Sequence, residues 1–246
     1  AWSPRRALGT AETYATASGY ATGVARKHGI TGAHRDRRMQ PIVKIAVLAS
    51  GSGSNLQAIL DALHDDPNAP IEVALVLADR RSAYALERAK AAGVPTRVVR
   101  PRDHATREEF DTQVAAALDE HGVEFIALAG FMRIFQREFV RRYAGRIINV
   151  HPALLPSFPG AHGIRDAFEH GVKVTGVTVH FVDEGVDTGP VIAQRAVPVD
   201  PGDTLESLEA KIHAVEHALF PAAIRAVAEG RARVDGRRVR VTRPVL

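Results

Sequence analysis

The sequence predicts an α/β protein built on a mostly parallel, twisted sheet of about seven strands with helices on both faces. Two observations carry that expectation. Short, continuous apolar runs alternate with stretches whose apolar residues recur every three or four positions. The runs lack the in–out alternation of a half-exposed sheet, so their strands are buried on both sides.

The pattern begins at Ile42. Val43 to Ala49 is the first buried-strand run, ending in Ser50-Gly51-Ser52-Gly53-Ser54-Asn55. A helix follows, with Leu56, Ile59, Leu60 and Leu63 on one face. Ile71 to Ala78 reads as a strand, Tyr84 to Ala92 as a helix closed by Gly93, and Pro95 to Val99 as a strand. Thr106 to His121 is an amphipathic helix stopped by Gly122 at a C-terminal cap position. Phe125–Ala129 and Ile147–Val150 are further buried strands, and Val174–Val182 and Val191–Val199 longer ones. Thr204–Ala228 is a long helix, and Ala232–Val241 a small hairpin turning at Asp235-Gly236.

Residues 1–40 lack this periodicity and read as a disordered N-terminal extension, leaving 41–246 as the globular domain. Their many arginines and few acids suit a transit peptide, or a stretch upstream of a start at Met39. They hold seven basic and two acidic residues, so residues 41–246 carry a net charge of −1 although the whole chain carries +4. A near-neutral domain is not one that neutralises many phosphates, so nucleic acid is not an expected partner. With no cysteine, thiolate nucleophiles, disulfides and cysteine-based metal centres are excluded. No apolar run approaches the ~20 residues that span a bilayer, so no membrane partner is expected.

The glycine-rich loop lies between a strand and a helix, where backbone N–H groups hold anions. A well-capped turn is the plainer reading of Ser54 and Asn55. A dinucleotide fingerprint would place a third glycine near Leu56, and Asp79 arrives late for its ribose-binding acid. The terminal Gly-Lys-Ser/Thr of a P-loop is missing as well. The loop suits a phosphomonoester best.

Asn149 and His151 sit two apart at the C-terminal end of a buried strand, so both side chains face one side. That edge of an open α/β sheet is where ligands bind. Pro152, Pro156, Pro159 and Gly160 then make a stiff segment able to wall a pocket. An Asn amide can donate to the oxyanion of an acyl-transfer intermediate, and a histidine can move a proton between two nitrogens. A nearby carboxylate would raise the imidazole pKa and orient the ring. Asp187, in an acidic and glycine-punctuated loop, is the candidate, although spacing alone does not bring it to His151. No carboxylate and histidine spacing points to a metal, so none is expected.

Five motifs, in order, resemble the folate-dependent glycinamide ribonucleotide formyltransferases of purine synthesis. They are Ser50–Gln57, Leu128–Ile134, Asn149–Pro156, His180-Phe181-Val182 and Asp187-Thr188-Gly189-Pro190. The resemblance covers about Val43 to Gly230 and implies a Rossmann-like formyltransferase fold and a cytoplasmic enzyme. Its implied co-substrate is 10-formyltetrahydrofolate as formyl donor, with 5-phosphoribosylglycinamide as acceptor. It further implies catalysis by Asn149, His151 and Asp187, and a phosphate held by Gly53, Ser54 and Asn55. Glu216 would contact the ribose side of that substrate. Arg107, Met132, Arg133, Ile134, Phe135, Asn149, Val182, Asp183 and Asp187 would form the folate site. His213 stands where the family varies among polar residues, and Phe135 where leucine is more usual. The partners implied are small molecules, with the chain a monomer or a homodimer. The alternatives are a formyltetrahydrofolate hydrolase and a non-catalytic nucleotide-binding module; a methionyl-tRNA formyltransferase would need a further C-terminal domain with a basic surface.

Overall fold

The computed structural model describes residues 41–64 and 66–246. The expected N-terminal extension over residues 1–40 lies outside them, and the described residues belong to one compact unit.

The first five strands are parallel: β1 (Val43–Ala49), β2 (Ile71–Ala78), β3 (Thr96–Val98), β4 (Phe125–Leu128) and β5 (Ile147–His151). The next strand, β6 (Val174–Phe181), runs antiparallel to β5, and β7 (Val191–Pro198) antiparallel to β6. Sheet order is β3-β2-β1-β4-β5-β6-β7-β9-β8, nine strands where the sequence predicts about seven. The extra two are the C-terminal hairpin, β8 (Ala232–Asp235) and β9 (Arg238–Val241). The hairpin is expected from its turn residues; its union with the sheet, through Val191 opposite Arg238, is not. Its small apolar face, Ala232, Val234, Val239 and Val241, does not announce which edge it extends.

Strand alternation divides the core between two faces. Ile45 and Val47 of β1 pack with Leu56 and Ile59 of α1 (Ser54–Ile59) and with Leu208, Ile212 and Phe220 of α6 (Leu205–Ala228). Ala46 and Leu48 point the other way, toward Phe110, Val114 and Leu118 of α3 (Arg107–Glu120). Two helices begin on side-chain caps. The Thr106 hydroxyl accepts from Glu109 N at the start of α3, and Thr204 and Ser207 form a reciprocal cap on α6. Before α3 comes α2 (Ala85–Ala91), and between α3 and α6 come two helices the periodicity does not reveal, α4 (Arg137–Arg142) and α5 (Gly163–His170). At six and eight residues those two barely complete a repeat of the helical pattern. On the α4 side Phe131, Phe135, Phe139 and Tyr143 form a ladder of rings, with centroids 5.5, 4.0 and 4.8 Å apart. Among the described residues no helix is long and apolar enough to cross a membrane.

Candidate active site

With β1 flanked by β2 on one side and β4 on the other, the chain switches direction at the centre of the sheet. Loops leaving the C-terminal ends of these strands part there and open a crevice. Ser50 ties the two loops together: its N–H donates to Gly130 O at 3.1 Å, and its hydroxyl accepts from Met132 N at 2.9 Å. The crevice is a cleft of about 520 Å³. Gly53, Ser54, Asn55, Met132, Arg133, Ile134, Phe135, Asn149, His151, Val182, Asp183, Asp187 and Glu216 all line it. Arg107 does not; it lines a neighbouring cavity of about 340 Å³ that shares Met132, Arg133 and Ile134 with the first.

At the centre of the cleft, Asp187 gathers four partners. Its Oδ2 accepts from Gly160 N at 2.8 Å and lies 3.5 Å from His151 Nδ1. Its Oδ1 lies 3.5 Å from Asn149 Nδ2 and 3.6 Å from His180 Nε2. Burial pushes the Asp187 carboxyl up, but contact with His180, the Gly160 N–H bond and the two imidazoles outweigh it, so the pKa lies below the ordinary carboxylate value. Asp187 reaches this place with φ 54, a left-handed conformation that aspartate tolerates better than most residues. Gly189 lets the loop return against β6, since a Cβ there would meet Phe181 O at 1.8 Å.

His151 is 3% exposed, and its Nε2–H donates to Phe158 O at 2.8 Å. Phe158 has φ 52, which for a bulky side chain is strained backbone, here spent on aiming a carbonyl at the imidazole. Gly163 makes room beside it: a Cβ would stand 3.1 Å from His151 Nε2.

His180 is the member that sequence reasoning passes over. It sits opposite Asn149 across the β5–β6 pair, 1% exposed, and its Nδ1–H donates to Phe181 O at 2.8 Å. Its Nε2 lies 3.2 Å from Asn149 Nδ2. His180 orients the amide while Asp187 orients the imidazole of His151. The motif His180-Phe181-Val182 marked the residue, but its cross-strand partner depends on register.

At one end of the cleft the glycine-rich loop packs on α2. Gly53 has φ 71, and a Cβ there would lie 2.7 Å from Ala85 Cα, so no other residue fits. Arg88 backs the loop, its Nε donating to Ser52 O at 2.9 Å and Nη1 to Gln57 Oε1 at 3.0 Å. Asn55 Nδ2 donates to Glu216 Oε2 at 3.1 Å, and His213 Nδ1 donates to the same oxygen at 2.8 Å. The contact of His213, left open by the sequence, is therefore with Glu216.

The opposite end is apolar. Phe131 and Phe135 are buried there, while Met132 and Ile134 are 56% and 66% exposed. The Arg133 side chain pairs with Asp79, Nε to Oδ2 at 2.6 Å. Asp79 also meets Arg80 and is thereby taken up in an ion-pair network. Glu184, in the loop over this end, is anchored to α4 by Arg137 at 2.8 Å and Arg141 at 2.7 Å. Among the described residues no group of three His, Asp or Glu is arranged to hold a metal ion.

A cleft with an anion-suited loop, an apolar wall and a shared Asn–His–Asp group between them matches one class of transferase. Residues 43–224 match the family model described as formyl transferase. The chain is 45% identical over 182 residues to phosphoribosylglycinamide formyltransferase of Bacillus subtilis, spanning 74% of this chain and 93% of that protein. The crystal structure of glycinamide ribonucleotide transformylase 1 from Symbiobacterium toebii superposes with a TM-score of 0.79 at 50% identity, covering 81% of this chain and 94% of that one. A protein of Drosophila pseudoobscura named trifunctional purine biosynthetic protein adenosine-3 is 48% identical over 199 residues, 80% of this chain, which spans only 15% of its length. The chain belongs to the formyl transferase family, on its phosphoribosylglycinamide formyltransferase branch.

Proposed function

We propose that this enzyme transfers the formyl group of 10-formyltetrahydrofolate to the amine of 5-phosphoribosylglycinamide, giving formylglycinamide ribonucleotide and tetrahydrofolate. The observation that carries this reading is the convergence of Asn149, His151 and Asp187 between a phosphate-suited loop and an apolar wall in one cleft. The ribonucleotide lies with its phosphate on the amides of Gly53, Ser54 and Asn55 and its ribose toward Glu216. The pterin lies against Met132, Arg133, Ile134 and Phe135, covered by Val182 and Asp183, with Arg107 beyond it in the adjoining cavity. Formyl transfer of this kind belongs to cytoplasmic purine synthesis, and its partners are small molecules.

The amine attacks the formyl carbon, a C–N bond forms, and the carbonyl oxygen becomes an oxyanion. Asn149 Nδ2–H donates to it, exchanging its long 3.5 Å contact with Asp187 for a shorter one. The attacking nitrogen loses one proton and the departing folate nitrogen gains one, with His151 as the carrier. Asp187 holds the imidazole in place and offsets its charge when it is protonated. Breaking the folate C–N bond completes direct transfer, without a covalent enzyme intermediate.

The test is release of tetrahydrofolate by purified protein with and without the ribonucleotide. Release that requires the ribonucleotide is the expected result. Equal release in its absence would make the enzyme a hydrolase, and none in either case would remove the catalytic reading.

A further inference from the structure

The loop end of the cleft contains a titratable pair that formyl transfer does not use. Glu216 is 3% exposed, and the two donors that reach it, from Asn55 and His213, both meet Oε2. Oε1 has no protein partner among the described residues, and Glu216 lines the cleft. Asn55, itself part of the loop, is also buried and has an unpartnered Oδ1. One oxygen of a buried acid thus faces the space where an anionic ligand would lie. Unneutralised, that acid would repel a phosphate.

We infer that His213 is a positioning residue for the ribonucleotide: as an imidazolium it neutralises Glu216 and leaves Oε1 aimed at the ribose hydroxyls, so binding is coupled to one proton. The inference rests on the acceptor reading given above. His213 lines the same cleft and is about half exposed, so water and ligand both reach it. The charged and titratable groups around it are few. Glu216 and Glu209 lie on its own helix, and His217 stacks on it with ring centroids 6.3 Å apart. Arg88 of α2 acts on His217. The hydrogen bond to Glu216, and then the charges of Glu216 and Glu209, hold His213 above the ordinary imidazole value despite burial. Burial keeps His217 below it, so the two stacked rings do not share a charge.

The sign follows from linkage. Below the free-state pKa of His213 the ring is protonated with or without ligand, and affinity is greatest. Affinity falls as pH rises from the free value to the higher, ligand-bound value, then levels off. The fall is about tenfold for each unit by which the phosphate raises that pKa.

Calorimetric titration of the full chain with 5-phosphoribosylglycinamide from mildly acidic to mildly alkaline pH tests this. His213→Gln is expected to bind more weakly at the acid end and to lose the slope. The ligand's own ionisations are common to both proteins and cancel in the ratio of affinities. In turnover, the loss falls on KM for the ribonucleotide and not on KM for the folate donor. Parallel affinity curves would overturn the inference while leaving the acceptor reading intact. Failure of both proteins to bind at any pH would overturn the two together. An NMR titration of the His213 ring in the unaltered protein needs no variant: its pKa rises on ligand addition, and an unmoved pKa refutes the coupling.

Discussion

Two carboxylates define the two working corners of the cleft, and they are held in opposite ways. Asp187 has partners on both oxygens, drawn from β5, β6 and the segment after β5. Glu216 has both partners on one oxygen, and the other is left open. A buried carboxylate engaged on every side orients its neighbours, whereas one engaged on a single side can still accept from a ligand. On the proposed function the first corner serves as a framework for proton transfer and the second as a recognition site. Alterations at the first should appear in kcat, and at the second in KM.

Removing the reacting groups gives the largest effects. Asn149→Ala and His151→Ala should each slow tetrahydrofolate release roughly 10²–10⁴-fold with circular dichroism unchanged. A rate near that of the unaltered enzyme in either variant would end the assignment of the first corner.

Asp187→Asn comes next, with turnover down about 10²-fold and a displaced pH–rate profile. If the profile slows without moving, Asp187 does not act through His151. The carboxylate has its own acid limit. Its folded pKa is depressed, so its contribution to stability is present above the unfolded value of about 3.9 and is lost as pH falls through the folded one. Acid unfolding curves of Asp187→Asn should lack that component.

At the recognition corner Gly53→Ala forces a Cβ against Ala85 and a side chain into φ 71. A cost of about 1–3 kcal/mol is expected in denaturant titrations. KM for the ribonucleotide should rise while KM for the folate stays put; equal rises in both would show that the two corners are not separable.

The smallest effect is a control outside both corners. Asp203, before α6, is lowered to about 2 by hydrogen bonds from Lys211, Ser207 and the Asp200 backbone. Its stabilisation is present above the unfolded value of about 3.9 and disappears as pH falls toward the folded one. Asp203→Asn should lower Tm slightly at neutral pH, converge with the unaltered protein in acid, and leave both KM values alone.

Periodicity in the sequence determined the buried strands, the long helices and the central sheet they form. Strand alternation put Asn149 and His151 on one side, and the turn chemistry of Gly53 and Asp235-Gly236 was equally local. Such signals report which face a residue occupies, because a strand repeats every two residues and a helix every 3.6. They do not report what that face meets. The nine-strand order depended on which edge the hairpin joined, and the short α4 and α5 lacked the length to show a period. Family likeness alone had paired Asp187 with His151, and only the folded loop, with φ 54 at Asp187, brings them to 3.5 Å. His180 came opposite Asn149 through antiparallel register, and Asn55 met Glu216 across 161 residues of chain. Those encounters were decided by tertiary structure, because packing, not local conformation, selects among the many partners a correctly facing side chain could have.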